Sequence, residues 1–203
     1  VSLAVIVLAV IIAAVFGIRA VTSPSATTPT STTSSAPPTT TKNMDPPHTE
    51  STGKNPTIAT YIKNNGVKET LVEHGDAGAP MIGIPVPDGW EPAGEATPKN
   101  AYAAIVYKGS DAADPPPRII AILTKLTGNI DPQTILDLAP GDLNNVRGYS
   151  GNESTSSALG EYPAYQLGGG YPDMANVRQL VQQKTVVLPS TDGLFVLQLN
   201  AYA

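Results

Sequence analysis

The sequence predicts an α/β fold of the α+β kind: a mostly antiparallel sheet flanked by helices, with an N-terminal transmembrane helix ahead of it. Three observations predict it. Two segments, Ala101–Tyr107 and Arg118–Leu126, are apolar at both odd and even positions, and strands of that kind are covered on both faces. Two capped helical stretches stand apart from them, beginning near Asn55 and Asp131. The remaining strands follow one another across short turns, which favours antiparallel neighbours with helices packed on the sheet.

The first element is Leu3–Ile18, LAVIVLAVIIAAVFGI, which carries no charge. With Val1 and Ser2 it makes 18 residues, and a helix needs roughly 17–25 to cross the hydrocarbon core. A helix is required because lipid offers no partner for open backbone groups. The run exceeds the ~7–15 residues of a cleavable signal core, and Ala20-Val21-Thr22 is a poor cleavage site. Residues 1–21 therefore read as a signal anchor in preference to a cleaved signal peptide. Arg19 alone would place the following chain in the cytoplasm, but the next segment argues for export.

Residues 22–54 read as a disordered linker. Fourteen of the twenty residues from Thr22 to Thr41 are Ser or Thr, and the rest are Pro and Ala. Such a stretch lacks the apolar area to offset ordering entropy, and its prolines keep it extended. It serves as a spacer, and its composition also suits O-glycosylation on an exported protein.

Residues 55–203 read as one globular domain, long enough at 149 residues to build a core without staples. Asn55 caps a first helix and Pro56 opens it, with Ile58, Tyr61 and Ile62 on one face. Asn65-Gly66 stops it in the left-handed region, with Val67 making the closing apolar contact. Glu69–Glu73 reads as a weak strand and His74–Pro80 as turn chemistry. Met81–Val86 aligns Ile82, Ile84 and Val86, but Pro85 and Pro87 confine it to an edge strand or a strand end. The two doubly apolar strands follow and sit centrally. Asp131 then caps a second helix with Pro132 at its first position, and Ile135, Leu138 and Ala139 form its buried stripe. Pro140-Gly141 ends or kinks it, and Leu143 and Val146 continue the packing. Gly148–Ser157 reads as a polar loop. Strands at Tyr162–Gly168, Arg178–Leu188 and Leu194–Ala201 finish the chain, the last with Phe195, Leu197 and Leu199 on one apolar face.

Composition excludes several chemistries. There is no cysteine, which removes disulfides, zinc–thiolate sites and thiol nucleophiles. From Asn55 onward 9 Lys and Arg face 15 Asp and Glu. With no basic stripe, the domain lacks the electrostatic footprint of a nucleic-acid binder.

The segments IATYIKNNGVKET, GAPMIGIPVPDGW, AAIVY, IIAILTKLTGNIDPQTILDLAPGDLNN, QKTVVLP and LFVLQLNA resemble the LpqN-type (Lpp-LpqN) family of mycobacterial envelope lipoproteins, in order, from about Pro56 to Ala201. The resemblance implies a PsbP/Mog1-like sandwich, a cell-envelope location and no catalytic residues to carry over. The chain departs from the family twice. It has no lipobox cysteine, so the Leu3–Ile18 helix is expected to replace a lipid anchor. The family domain also continues past the last strand into a further helix, whereas this chain stops at Ala203. If that helix is missing, the Phe195–Leu197–Leu199 face is expected to lose its cover, leaving an exposed apolar groove.

Catalytic patterns fail in turn. Gly148-Tyr149-Ser150-Gly151 nearly spells a nucleophile elbow, but the second Gly comes one place early and no strand leads into it. His74, the domain's one histidine, sits in a turn. Asp111 and Asp114 match no calcium loop and read as a solvated loop. Gly168-Gly169-Gly170 opens no helix, so it reads as a bulge or loose turn. No enzyme activity, metal or cofactor is expected. Binding remains. Trp90, Tyr102, Tyr107 and Tyr165 lie in strands or at their ends, where aromatics stack on sugars, line an apolar cleft, or simply pack in the core. The reading is a single-pass plasma-membrane protein with its domain on the extracytoplasmic side. It would bind an amphiphile or glycolipid, or dock on an envelope transporter. The alternative is a surface protein–protein interaction module for a host or envelope partner.

Overall fold

The computed structural model describes residues 6–7, 53–109, 115–173 and 175–203, with only the backbone described at 6–7 and 152–154. The stalk at 22–41 and the Asp111/Asp114 loop lie outside the described residues, as does most of Leu3–Ile18. Ile6–Val7 (β1) is extended and pairs in parallel with Ile82–Gly83 (β3). Among the described residues no helix is long and apolar enough to cross a membrane.

The domain opens with helix α1, Ile58–Asn65. Its cap is Thr57, whose hydroxyl accepts from the Thr60 N–H at 3.1 Å. The expected cap at Asn55 is thus displaced by two residues. Asn55 instead grips Asn145: its backbone N–H donates to Asn145 Oδ1 at 2.7 Å, and Asn145 Nδ2 donates back to the Asn55 carbonyl at 2.9 Å. Gly66 ends α1 with φ 61°, and the Val67 N–H closes on the Ile62 carbonyl, as Asn-Gly predicts.

The main sheet contains β2 (Lys68–Leu71), β4 (Trp90–Pro92), β5 (Ala103–Tyr107), β6 (Arg118–Thr127), β7 (Ser150–Leu159), β8 (Tyr162–Pro172), β9 (Arg178–Ser190) and β10 (Gly193–Tyr202). Its order is β4-β5-β6-β10-β9-β8-β7, and β2 pairs with the far end of β6. Every pairing in it is antiparallel. The doubly apolar β5 and β6 are interior strands, as their composition requires.

One face buries Ile105, Ile119, Ala121, Leu123, Val186, Leu188, Phe195, Leu197 and Leu199 in one cluster with Val72, Ile82 and Tyr102. The expected bare face is corrected here: Leu197 is 0% and Leu199 1% exposed. The irregular stretch between β2 and β4 supplies cover through Val72, Ala79, Ile82 and Ile84, so no helix is needed to bury these side chains. The other face carries α1 and helix α2 (Pro132–Leu138) over Leu126, Val187, Leu194 and Val196. Asp131 caps α2 through the Gln133 and Thr134 N–H groups. Its buried face includes Ile135, Leu136 and Ala139, while Leu138 is only half-buried. A short turn of helix, α3 (Gly141–Asn144), places Leu143 in a further cluster with Ile120, Leu167, Tyr171 and Tyr202.

Three expectations give way. Met81–Val86 contributes only the two residues of β3, outside the main sheet; its prolines leave too few donors for a longer ladder. The polar loop at Gly148–Ser157 is largely strand β7, an edge strand that takes its order from β8 rather than from an apolar face. Gly160, at φ 61°, closes the two-residue turn between them. Gly168–Gly170 runs inside β8, and the register shift falls opposite it, between Gly151 and Glu153.

Candidate functional site: an aromatic corner and a buried polar band

The structure brings together two of the four aromatic candidates. Trp90 opens β4 and stands opposite Tyr107 at the end of β5. Their rings lie 5.7 Å apart at 54°, within the range of favourable tilted aromatic pairs. Both side chains are half-buried, so each keeps a face toward solvent. The backbone fixes the corner. The Trp90 N–H donates to the Pro87 carbonyl at 3.0 Å, and the Lys108 N–H donates to the Gly89 carbonyl at 2.7 Å. Gly89, at φ 80°, lies under the Tyr107 ring, where an added Cβ would come within 2.8 Å of it. Glycine is thus required twice there, for its conformation and for the close approach. The exposed Lys108–Glu91 pair at 3.4 Å adds little stability.

The other two candidates lie elsewhere. Tyr102 is a core residue, 6% exposed, whose hydroxyl accepts from the Ile82 N–H at 3.3 Å and whose ring packs on His74. Tyr165 is on the opposite face, opposite Thr185, between the two helix-side clusters. Ser150 and His74 do not form a pair. Ser150 is on β7, while His74 packs against Tyr102, which bonds to β6. Four strand spacings of about 4.8 Å separate β6 from β7 along the sheet. Among the described residues no group of three His, Asp or Glu could hold a metal ion.

Sequence reasoning missed a buried polar band across β9 and β10. Gln183 Nε2 donates to Asn200 Oδ1 at 2.9 Å, with both residues buried. Thr185 is fully buried two places along. At the end of the band the Arg118 guanidinium lies 5.1 Å above the Tyr202 ring, a desolvated cation–π contact. Burial lowers the Arg118 pKa, while Tyr202 and Tyr171 oppose the shift. Burial likewise raises the tyrosines: Tyr202, with Tyr171 reinforcing the shift and Arg118 opposing it, then Tyr171 and Tyr149. The signal in the sequence was the run Gln182–Thr185, four polar residues inside an otherwise apolar strand.

The raised tyrosines set the alkaline limit of stability. Unfolded tyrosines ionise near pH ~10. Above that pH the folded state binds more protons than the unfolded one, so stability falls as pH rises. A titration following phenolate absorbance should therefore show Tyr149, Tyr171 and Tyr202 ionising only in step with unfolding. Ionisation of all eight tyrosines before any loss of structure would contradict this.

Comparisons with known proteins agree with this architecture. Residues 54–203 match the family model Lpp-LpqN, described as "Probable lipoprotein LpqN". The chain is 50% identical over 157 residues to lipoprotein LpqN of Mycobacterium tuberculosis, covering 76% of this chain and 67% of that protein. It also superposes with a TM-score of 0.69 on the crystal structure of LpqN "involved in cell envelope biogenesis of Mycobacterium tuberculosis". That match has 47% identity and covers 74% of this chain and 87% of that one. These relatives are named as lipoproteins and not for a reaction. With a family model matched across the whole folded region, the chain belongs to the Lpp-LpqN family.

Proposed function

We propose that this chain is a non-catalytic protein of the cell envelope whose domain binds an amphiphile or glycolipid, or docks on an envelope transporter, at the Trp90–Tyr107 corner. Leu3–Ile18 holds it at the plasma membrane as a single helix, with the domain on the extracytoplasmic side. Family membership supports the envelope location, because the M. tuberculosis relative is described as involved in envelope biogenesis. The apolar run and the Ser/Thr/Pro stretch support the tether. Insertion as a helix and pairing of Ile6–Val7 with β3 exclude each other, so the membrane-bound chain releases that pairing.

The aromatic corner carries the binding part of the reading. Two half-buried rings pack on each other beside the close approach of Gly89 to Tyr107, and an apolar platform of this kind stacks on a sugar ring or an acyl chain at little entropic cost. Val86 and Met81, from the stretch before it, are exposed at 46% and 58% and add apolar surface on the same segment.

Trp90 is the chain's single tryptophan, so its fluorescence reports on the corner directly. Dodecyl maltoside, added below its micelle concentration, is expected to shift the emission to the blue. Native mass spectrometry of Trp90→Ala should then show occupancy reduced by about tenfold. An unshifted spectrum together with an apo mass at every detergent concentration would end the amphiphile reading and leave the protein–protein alternative.

A further inference from the structure

Half of the N-terminal apolar run is β-branched: Val or Ile fills eight of the sixteen positions in Leu3–Ile18. Such residues lose side-chain freedom in a helix and fit a pleated strand well. Lipid imposes the helix all the same, because every backbone group there must be bonded within the segment. Water removes that constraint, and the same residues then favour an extended chain that adds to a strand. The run therefore has two conformations, and its surroundings select between them.

At Ile6–Val7 the structure holds the extended form. Ile6 stands opposite Ile82 and Val7 opposite Gly83, in parallel. β3 is well prepared as the partner. Ile82 is 5% exposed and belongs to the main apolar cluster. Its N–H donates to the Tyr102 hydroxyl at 3.3 Å, which fixes β3 against the main sheet although it is not a strand of that sheet. Gly83 is exposed, and among the described residues no atom lies within 4 Å of a Cβ built on it. Residues 8–52, 45 in number, join β1 to the domain. Fully extended they reach about 150 Å, enough to cross a domain of this size. A segment joined to its partner in this way acts at a far higher effective concentration than a free peptide, so the occupant of β3 is the chain's own run.

We propose that β3 is a strand-addition seat for the N-terminal run, filled while the run is outside the bilayer and vacated when the run inserts as a helix. A ladder of two residues is a marginal attachment, so the bilayer, which takes the whole run, wins wherever it is present. Until then the seat shields a segment that would otherwise pair with other chains, since an uncharged β-branched run without proline is an aggregation hazard. The inference rests on the membrane tether proposed above and adds to it a second resting place, on the segment that leads to Trp90.

The chain has no cysteine, so an introduced pair reports without interference. Val7→Cys combined with Gly83→Cys puts the two thiols on directly opposed residues. Neighbouring strands lie ~4.8 Å apart, within the Cα separation that a disulfide spans. Val7→Cys combined with Ser156→Cys, on the edge strand at one end of the sheet, measures chance encounter along the linker. Both full-length variants are made by cell-free synthesis at nanomolar concentration under mild oxidation, with and without phosphatidylglycerol vesicles. Without vesicles the Val7/Gly83 variant is expected to form its intramolecular disulfide about tenfold faster than the Val7/Ser156 variant. With vesicles the protein should float with the lipid, and the Val7/Gly83 rate should fall to that of the control. Equal rates for the two variants without vesicles would overturn the seat. So would a Val7/Gly83 disulfide that forms undiminished in the floated protein. A fast Val7/Gly83 disulfide in a protein that never floats would support the seat and strike the membrane tether instead, so the two readings fail separately.

Discussion

Leu197→Ala is expected to lower the stability of the domain by about 3–5 kcal/mol, the upper range for emptying a leucine site in a packed core. Leu197 is 0% exposed. It sits at the middle of β10, flanked by Leu123 on β6 and Val186 on β9, both also 0% exposed. Backbone ladders on both sides pin these neighbours, so they cannot close into the space, and the cavity term stays near its maximum. Urea unfolding followed by Trp90 fluorescence would measure the loss as a lower midpoint at unchanged slope. A loss below about 1 kcal/mol would mean that β10 is not the centre of the core.

Gly193→Ala should cost about 3 kcal/mol, combining backbone strain with a steric clash. Gly193 begins β10 with φ 155°, and an added Cβ would overlap the Leu126 carbonyl oxygen on the neighbouring strand. The overlapped atom is backbone, so no side-chain rotation relieves it, and β10 must move away from β6. Gly160 provides the control. It also has a positive φ, 61°, but nothing lies within 4 Å of its missing Cβ. Gly160→Ala should cost only the strain, about 1 kcal/mol. Similar losses at the two positions would show that conformation alone, and not the approach of β6, selects glycine at 193.

Much of this fold could be read in the sequence because its strongest elements satisfy local and tertiary demands together. β6 is apolar at both parities and is interior. Asp131-Pro132 begins a helix because the side chain that accepts the N–H groups is adjacent to the residue that lacks one. The misses occur where order comes from a distant partner. β7 is ten residues long and almost wholly polar; nothing within Ser150–Leu159 announces a strand, since the ladder is completed by β8. Thr57 displaced Asn55 as the cap because Asn55 is engaged by Asn145, a contact across 90 residues. The site follows the same logic. Trp90 and Tyr107 were each visible as rim aromatics, but their pairing depends on the register of β4 on β5. Tyr102 and Tyr165 looked equivalent to them until burial and face assigned them elsewhere.

The clasp between Asn55 and Asn145 determines how the domain would bear a load. A pull on the chain ahead of residue 55 meets three hydrogen bonds to one side chain that is 3% exposed. Gly141, tucked under the Pro56 carbonyl so closely that no side chain would fit, backs them up. Tension is therefore passed to α3 and the cluster around Leu143 before α1 can unwind. A domain clasped in this way resists fraying from its N-terminal end.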